Sequence, residues 1–328
     1  MKSPKLIVLL ISLSFLFSCK ENLKQEKDTP KEQSEVKKEG VQPFAENTFS
    51  QYTNVRDFTI STTEDEAYFS LQSPGRELSV IMKMKKKNNK WKTPEISTFS
   101  GKYTDLEPFL SPDNLRLYFA SNRPVAKDSS TTKDFDIWYV KRNSLDAEWS
   151  SPQNLGAPVN TKADEFYPAI TNSGNIYFTA ITEETGPADD IFVSHWENNR
   201  YSKPLILSDS INTKGAEFNA FVAPDESYII FSGWQRSDGI GAGDMYISKK
   251  ADGQWAIAKN LGEIINSKQT DFCPFVANGK LYFTSRRSNV ANKENGFTNT
   301  EELLSEINRY DNGFSRIYQV DIGSLINE

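Results

Sequence analysis

Histidine occurs once in this 328-residue chain and cysteine twice. The single imidazole, His195, sits mid-strand in "FVSHWE", which removes the basis for a histidine-based triad or a zinc site. No metal and no cofactor is expected. Basic charge is also short. Lysine and arginine total 38 against 44 aspartate and glutamate, a formal net charge of −6. A nucleic-acid binder needs a basic stripe to neutralise phosphates, so nucleic acid is not an expected partner. Long apolar runs are missing too: the longest, Leu6 to Phe17, is too short to span a bilayer as a helix. What is present is an aromatic share of 12% with 25% charged residues, enough to fold around a real core as one large domain or two small ones.

The first nineteen residues read as a targeting segment. Lys2 and Lys5 form a basic start, "LIVLLISLSFLF" an apolar centre, and "LFSC" (Leu16 to Cys19) follows where charge begins at once. "LFSC" resembles the lipobox of bacterial lipoproteins. The resemblance implies a signal peptide over 1–18, cut before Cys19, which is then acylated and anchors the chain to the membrane. The alternative is an ordinary secretory signal that happens to contain Cys19. With Cys19 acylated, only Cys273 remains, so no intramolecular disulfide is expected, and Cys273 reads as a small buried residue. Residues 19–40 carry six lysines and six acids with Leu23 and Val36 as their only aliphatic side chains. They read as a disordered tether reaching roughly 25 Å. Its early Lys20-Glu21 resembles the charged export signals of Bacteroidetes-type surface lipoproteins. An outer membrane lipoprotein follows, on the periplasmic face or the cell surface.

From residue 41 onward the chain repeats itself. The aromatic pair recurs as Tyr68-Phe69, Tyr118-Phe119, Tyr177-Phe178, Ile230-Phe231 and Tyr282-Phe283. Each unit holds four short strand-like runs separated by Asn, Asp, Gly and Pro, the pattern of antiparallel strands with tight turns. "SPD" (Ser111 to Asp113), "NSG" (Asn172 to Gly174), "APD" (Ala223 to Asp225) and Asn278-Gly279 mark the first hairpin turn, where positive φ is needed. "DIWYV", "DIFVS" and "DMYIS" mark the third strand, and "EWSSPQNLG", "RYSKPLILS" and "QWAIAKNLG" the fourth. Four strands at this period predict propeller blades. These phrases resemble the WD40-like PD40 repeat of TolB-type propellers, over about residues 41–322.

The expected fold is therefore all-β: a five-bladed β-propeller of four-stranded antiparallel blades over residues 41–328. The fifth unit lacks a fourth strand, and Val41–Asn47 is expected to supply it and close the ring. TolB itself has six-bladed relatives, but no residues are spare here for a sixth blade. Asn289 to Ser315 interrupts the last blade as a short helical insertion, with Thr298 and Glu301 fitting a capping box.

One acid recurs at each first strand: Asp57, Asp105, Glu165, Glu217 and Asp271, each followed by Phe or Leu. This predicts an acidic ring near one channel mouth, either a funnel for a ligand or a set of carboxylates satisfied by backbone. Equal occupancy favours structural duty. Arg123, Arg236 and Arg286 follow the second strands and are read as tying loops through carboxylates. Trp91, Trp149 and Trp255 share a repeat position and are read as inter-blade residues. The Gly-rich stretch "SGWQRSDGIGAGD" presents Trp234, Arg236 and Asp238 as a candidate ligand loop. "GIGAGD" is no phosphate loop, since no helix follows it. The resulting expectation is an envelope-anchored, non-catalytic scaffold for a protein or polymer. The alternative is a glycan-binding or glycoside-hydrolase-like propeller using channel carboxylates.

Overall fold

A computed structural model describes residues 40–126, 132–182 and 185–327. Cys19, the signal segment and the tether up to residue 39 lie outside the described residues. The rest forms five antiparallel sheets arranged as propeller blades. Blade 1 comprises Asn54–Ile60, Glu66–Gln72, Ser79–Lys87 and Glu95–Ile96. Blade 2 is Asp105–Leu110, Arg116–Ser121, Asp136–Lys141 and Gln153–Asn154. Blade 3 is Glu165–Ile170, Ile176–Ala180, Asp190–Ser194 and Leu205–Ile206. Blade 4 is Ala216–Val222, Tyr228–Trp234, Gly243–Ala251 and Lys259–Asn260. Blade 5 is Asp271–Ala277, Lys280–Ser285, Arg316–Asp321 and, from the other end of the sequence, Gln42–Pro43.

The repeated aromatic pair explains the stacking. Successive strand residues face opposite sides of a sheet. In each second strand the first residue of the pair meets one neighbouring blade and the second meets the other, so both must be apolar. Phe69, Phe119, Phe231 and Phe283 are fully buried, as are Tyr68, Tyr177 and Tyr282. Each such burial stabilises the fold by about 1.5–3 kcal/mol. The three repeat tryptophans do sit between blades. Trp149 Nε1 donates to Tyr68 Oη at 2.7 Å, Trp255 lies edge-on to Tyr177, and Trp91 lies edge-on to Phe44.

Closure comes from the N-terminal strand. Gln42 pairs with Gln319 and Pro43 with Tyr318 in antiparallel register. Phe44 then drops into an aromatic nest, its ring 4.7 Å from Phe58 and 5.2 Å from Tyr282, centroid to centroid.

The insertion in blade 5 contains one helix, Thr300–Ile307. Its cap stands one residue beyond the expected Thr298–Glu301 box. Asn299 Oδ1 accepts the Glu302 N–H at 2.8 Å, and the Glu302 carboxylate accepts both the N–H and the hydroxyl of Thr298. Asparagine outranks threonine as a cap, and here it holds the extended backbone that a cap requires. No helix side chain is buried. The insertion is moored instead by Tyr310, whose hydroxyl donates to the carbonyls of Ile317 (2.7 Å) and Phe44 (3.2 Å).

Candidate binding site at the channel mouth

The innermost strand of every blade carries the same irregularity. Two residues oppose one on the second strand, between Arg56 and Thr59, Leu106 and Phe109, Phe166 and Ala169, Phe218 and Phe221, and Phe272 and Phe275. This is a β-bulge whose first residue adopts positive φ: Asp57 (58°), Glu107 (59°), Tyr167 (48°), Asn219 (53°) and Cys273 (54°). Asn and Asp tolerate that region, whereas Glu, Tyr and Cys are held there at a cost of order 1–3 kcal/mol each. The bulge turns each side chain toward the axis. Three layers of the channel follow from it.

The outermost layer is Arg56, Leu106, Phe166, Phe218 and Phe272, all five lining a cavity of 470 Å³ at the mouth. The middle layer is the bulge residues, which bond across the axis. Asn219 Nδ2 donates to Glu107 Oε1 at 3.2 Å, Tyr167 Oη donates to the Pro274 carbonyl at 2.8 Å, and the Cys273 thiol donates to Asp57 Oδ1 at 2.8 Å. Below them Phe109, Phe221 and Phe275 pack as a triangle with centroids 5.4–6.4 Å apart. This apolar plug makes the channel blind.

Arg56 breaks the apolar outer layer. Its guanidinium bridges the two channel carboxylates, Nε to Asp57 Oδ1 at 2.6 Å and Nη2 to Glu107 Oε1 at 3.0 Å. Burial works against its charge, but Asp57, Cys273 and Glu107 together outweigh burial and raise its pKa. Burial, then the Asp57 charge, push Glu107 up to about 7 against the pull of Arg56, the Tyr167 N–H and Asn219. Burial and the neighbouring Asp57 also raise the Cys273 thiol well above its ordinary value. The thiol is fully buried, as its reading as a small core residue requires.

The structure divides the expected acidic ring. Asp105, Glu165, Glu217 and Asp271 share one register position, opposite Ser121, Ala180, Gly233 and Ser285. In blade 1 that position is Val55, opposite Leu71, and Asp57 stands two residues further on, in the bulge layer. The ring therefore has four acids, and none of the four lines the cavity. Each accepts hydrogen bonds from residues close to it in its own repeat. Glu165 accepts from the N–H and hydroxyl of Thr161, Glu217 from those of Thr213, and Asp271 from those of Ser267. Asp105 accepts from Ser100, Ser121 and Arg123.

Arginines complete three of these four. Arg123 pairs with Asp105 at 2.6 Å, Arg236 with Glu217 at 3.3 Å, and Arg287 with Asp271 at 3.1 Å. Arg287, rather than Arg286, is the counterpart of Arg123: its Nε meets Ser285 as that of Arg123 meets Ser121. Each arginine reaches its acid through one nitrogen, so the pairing is not bidentate. Arg286 turns instead to the cavity. Blade 3 has no such arginine, and Glu165 Oε2 is buried without a partner among the described residues. Burial raises Glu165 to about 7, with the Thr161 donors opposing.

Of the candidate loop, Trp234 lines the cavity and is 40% exposed. It lies across Gly243, where a Cβ would stand 3.3 Å from the indole, so glycine is what lets the ring settle there. Arg236 and Asp238 are engaged elsewhere: Arg236 with Glu217 and over the Tyr246 ring, Asp238 with the Tyr246 hydroxyl. Two of the three aspartates opening the third strands, Asp136 and Asp244, are likewise structural. Asp136 accepts from Lys133 and Asn154, and Asp244 from Asn260 and the backbone of the Gly-rich loop. Among the described residues no group of His, Cys, Asp and Glu could hold a metal ion.

Glu107, Arg56 and Arg76 were not singled out by sequence. A signal for Glu107 was available. Proline follows the bulge residue in three blades (Pro108, Pro168, Pro274). Reading the residue before it down the repeats gives the whole middle layer.

No protein-family model matches the sequence, and no curated protein matches it. Solved structures do. BT0996, in a complex with RGII, is 8% identical with a TM-score of 0.53, over 82% of this protein and 87% of that one. The native arabinanase Arb43A of Bacillus subtilis is 12% identical with a TM-score of 0.49, over 82% of this protein and 94% of that one. A puromycin-hydrolyzing peptidase of Mycobacterium tuberculosis is 11% identical with a TM-score of 0.40. There the match covers 74% of this protein but only 36% of the peptidase. Such likeness concerns the propeller fold.

Proposed function

We propose that this protein is a non-catalytic binding propeller of the cell envelope, anchored through Cys19 at the outer membrane, that holds an envelope protein or a glycan at its channel mouth. PD40-like repeats and the lipobox-like "LFSC" support the setting. One observation carries the choice of binding over catalysis: both carboxylates of the bulge layer are already spent on protein donors. Asp57 accepts from Arg56, Cys273 and the Glu107 N–H; Glu107 accepts from Arg56, Asn219 and the Tyr167 N–H. A working acid–base pair needs one carboxyl free to donate and one free to accept from substrate or water.

A second reading has one observation of its own. Glu107 forms part of the cavity wall, and a carboxyl near pH 7 is in the range of a glycosidase general acid. One experiment separates the two. The full-length protein and a Trp234→Ala variant are applied to a glycan array and to envelope extract, and bound glycans are assayed for released reducing ends. Trp234-dependent retention without release is the expected result. Release that stops in a Glu107→Gln variant establishes the enzyme instead.

A further inference from the structure

The geometry points to an acidic saccharide as the ligand: a sugar carrying a carboxylate or sulfate, held by an arginine pair at the channel mouth. This inference rests on the binding reading above and names its ligand class. Two arginines of the cavity, Arg76 from blade 1 and Arg286 from blade 5, make no salt bridge among the described residues. Among the described residues the Arg286 side chain meets the Ser315 hydroxyl at 3.3 Å and the Phe272 ring. Arg76 is exposed and engages no described side chain. The two lie on adjacent blades beside Arg56, so one side of the mouth is cationic. Burial, then the charges of Arg76 and Arg56, lower the pKa of Arg286. Arg76 and Arg286, neither with a counter-charge among the described residues, repel each other, and an oxyanion placed between them removes that repulsion while accepting directed guanidinium hydrogen bonds.

The nearby acids do not fill that role. Glu107, in the cavity wall, and Asp57, behind it, are both committed to Arg56. Asp189 comes from blade 3, and burial followed by the Asp190 charge raise its pKa. It makes no described side-chain hydrogen bond and is placed to accept from hydroxyl groups. Trp234, from blade 4, offers an apolar ring face. An anion site, a hydroxyl acceptor and an aromatic platform around 470 Å³ match an acidic sugar, whose oxyanion, hydroxyls and ring face use all three.

The test is calorimetric titration of the full-length protein at two salt concentrations. The probes are oligogalacturonate, a sulfated galactan oligosaccharide, neutral galactan oligosaccharide and polyglutamate. One or both acidic saccharides should bind, more weakly at high salt, and which of them binds identifies the oxyanion. Arg76→Gln and Arg286→Gln should each weaken that binding about tenfold or more. The Arg76 side chain makes no described contact, so its variant is not exposed to loss of folding. Neutral galactan binding as tightly as the acidic forms, polyglutamate displacing them, or indifference to both arginine variants would overturn the inference. Should every acidic saccharide fail while an envelope partner is still retained through Trp234, the inference falls and the binding reading stands. Loss of all Trp234-dependent retention removes both.

Discussion

A buried carboxylate deprived of its arginine keeps the cost of burial and loses the compensation. Glu165 is in that position, with Oε2 unpartnered among the described residues and a pKa raised from 4.5 to about 7 by burial. The folded state then binds a proton between pH 4.5 and 7 that the unfolded chain has released. This contribution to stability is complete below pH 4.5 and is lost as pH rises through 7. Glu165→Gln keeps an oxygen for the Thr161 donors and removes the charge. Thermal unfolding should show the variant more stable at pH 8 by about 1–3 kcal/mol and indistinguishable at pH 4. Part of the slope between the two should remain, because Glu107 titrates in the same window. The opposite sign belongs to Glu226. Burial opposes its charge, but Lys250, Asn175 and Tyr177 outweigh burial and hold it near 2, so its contribution is present above 4.5 and lost as pH falls toward 2. Glu226→Gln should remove part of the acid-side unfolding transition. Four of the five repeated acids were legible in sequence because they share register and local partners. Asp57 was not. Asp57-Phe58 imitates the Asp271-Phe272 dipeptide, and only the distance to the hairpin residue Ser61, matched to Asp105 and Ser111, shows the shift of two.

At the level of elements, the insertion and the closing strand are coupled through one hydroxyl. Tyr310 is buried and spans Phe44 and Ile317, on either side of the closing pair. Tyr310→Phe keeps the packing and drops both hydrogen bonds, so chemical denaturation should show a loss of about 1–2 kcal/mol. Asn299→Ala should behave differently. It costs about 1 kcal/mol of helix stability locally. With no helix side chain buried, the global unfolding midpoint should stay within error while amide exchange in Thr300–Ile307 speeds up. The existence of this helix was readable from "EELLSEI", and the closing strand from the missing fourth strand of the fifth unit. The cap was not, since Thr298 and Asn299 are adjacent acceptors and backbone geometry chooses between them.

Across the whole molecule, the ring depends on a strand of two residues, Gln42–Pro43. Five repeats of the aromatic pair were enough to count the blades, because both faces of each blade are covered and the pair cannot be dispensed with. Polarity inside the channel had no such periodic signature: Arg56, Glu107 and Asn219 matter because they differ from their counterparts. Phe44→Ala should destabilise the propeller by about 3–5 kcal/mol, read as a lowered unfolding midpoint. Removal of residues 41–49 should expose the edge of Arg316–Asp321 and produce oligomers, visible by light scattering after gel filtration. The pairing of Pro43 with Tyr318 also sets an order of events as the chain emerges. The segment that seals the ring is made before every blade, and its partner Arg316–Asp321 after the other strands of all five. It must wait, unpaired, through the synthesis of all five blades, so a nascent chain halted before residue 316 has no route to closure however well its earlier blades have formed.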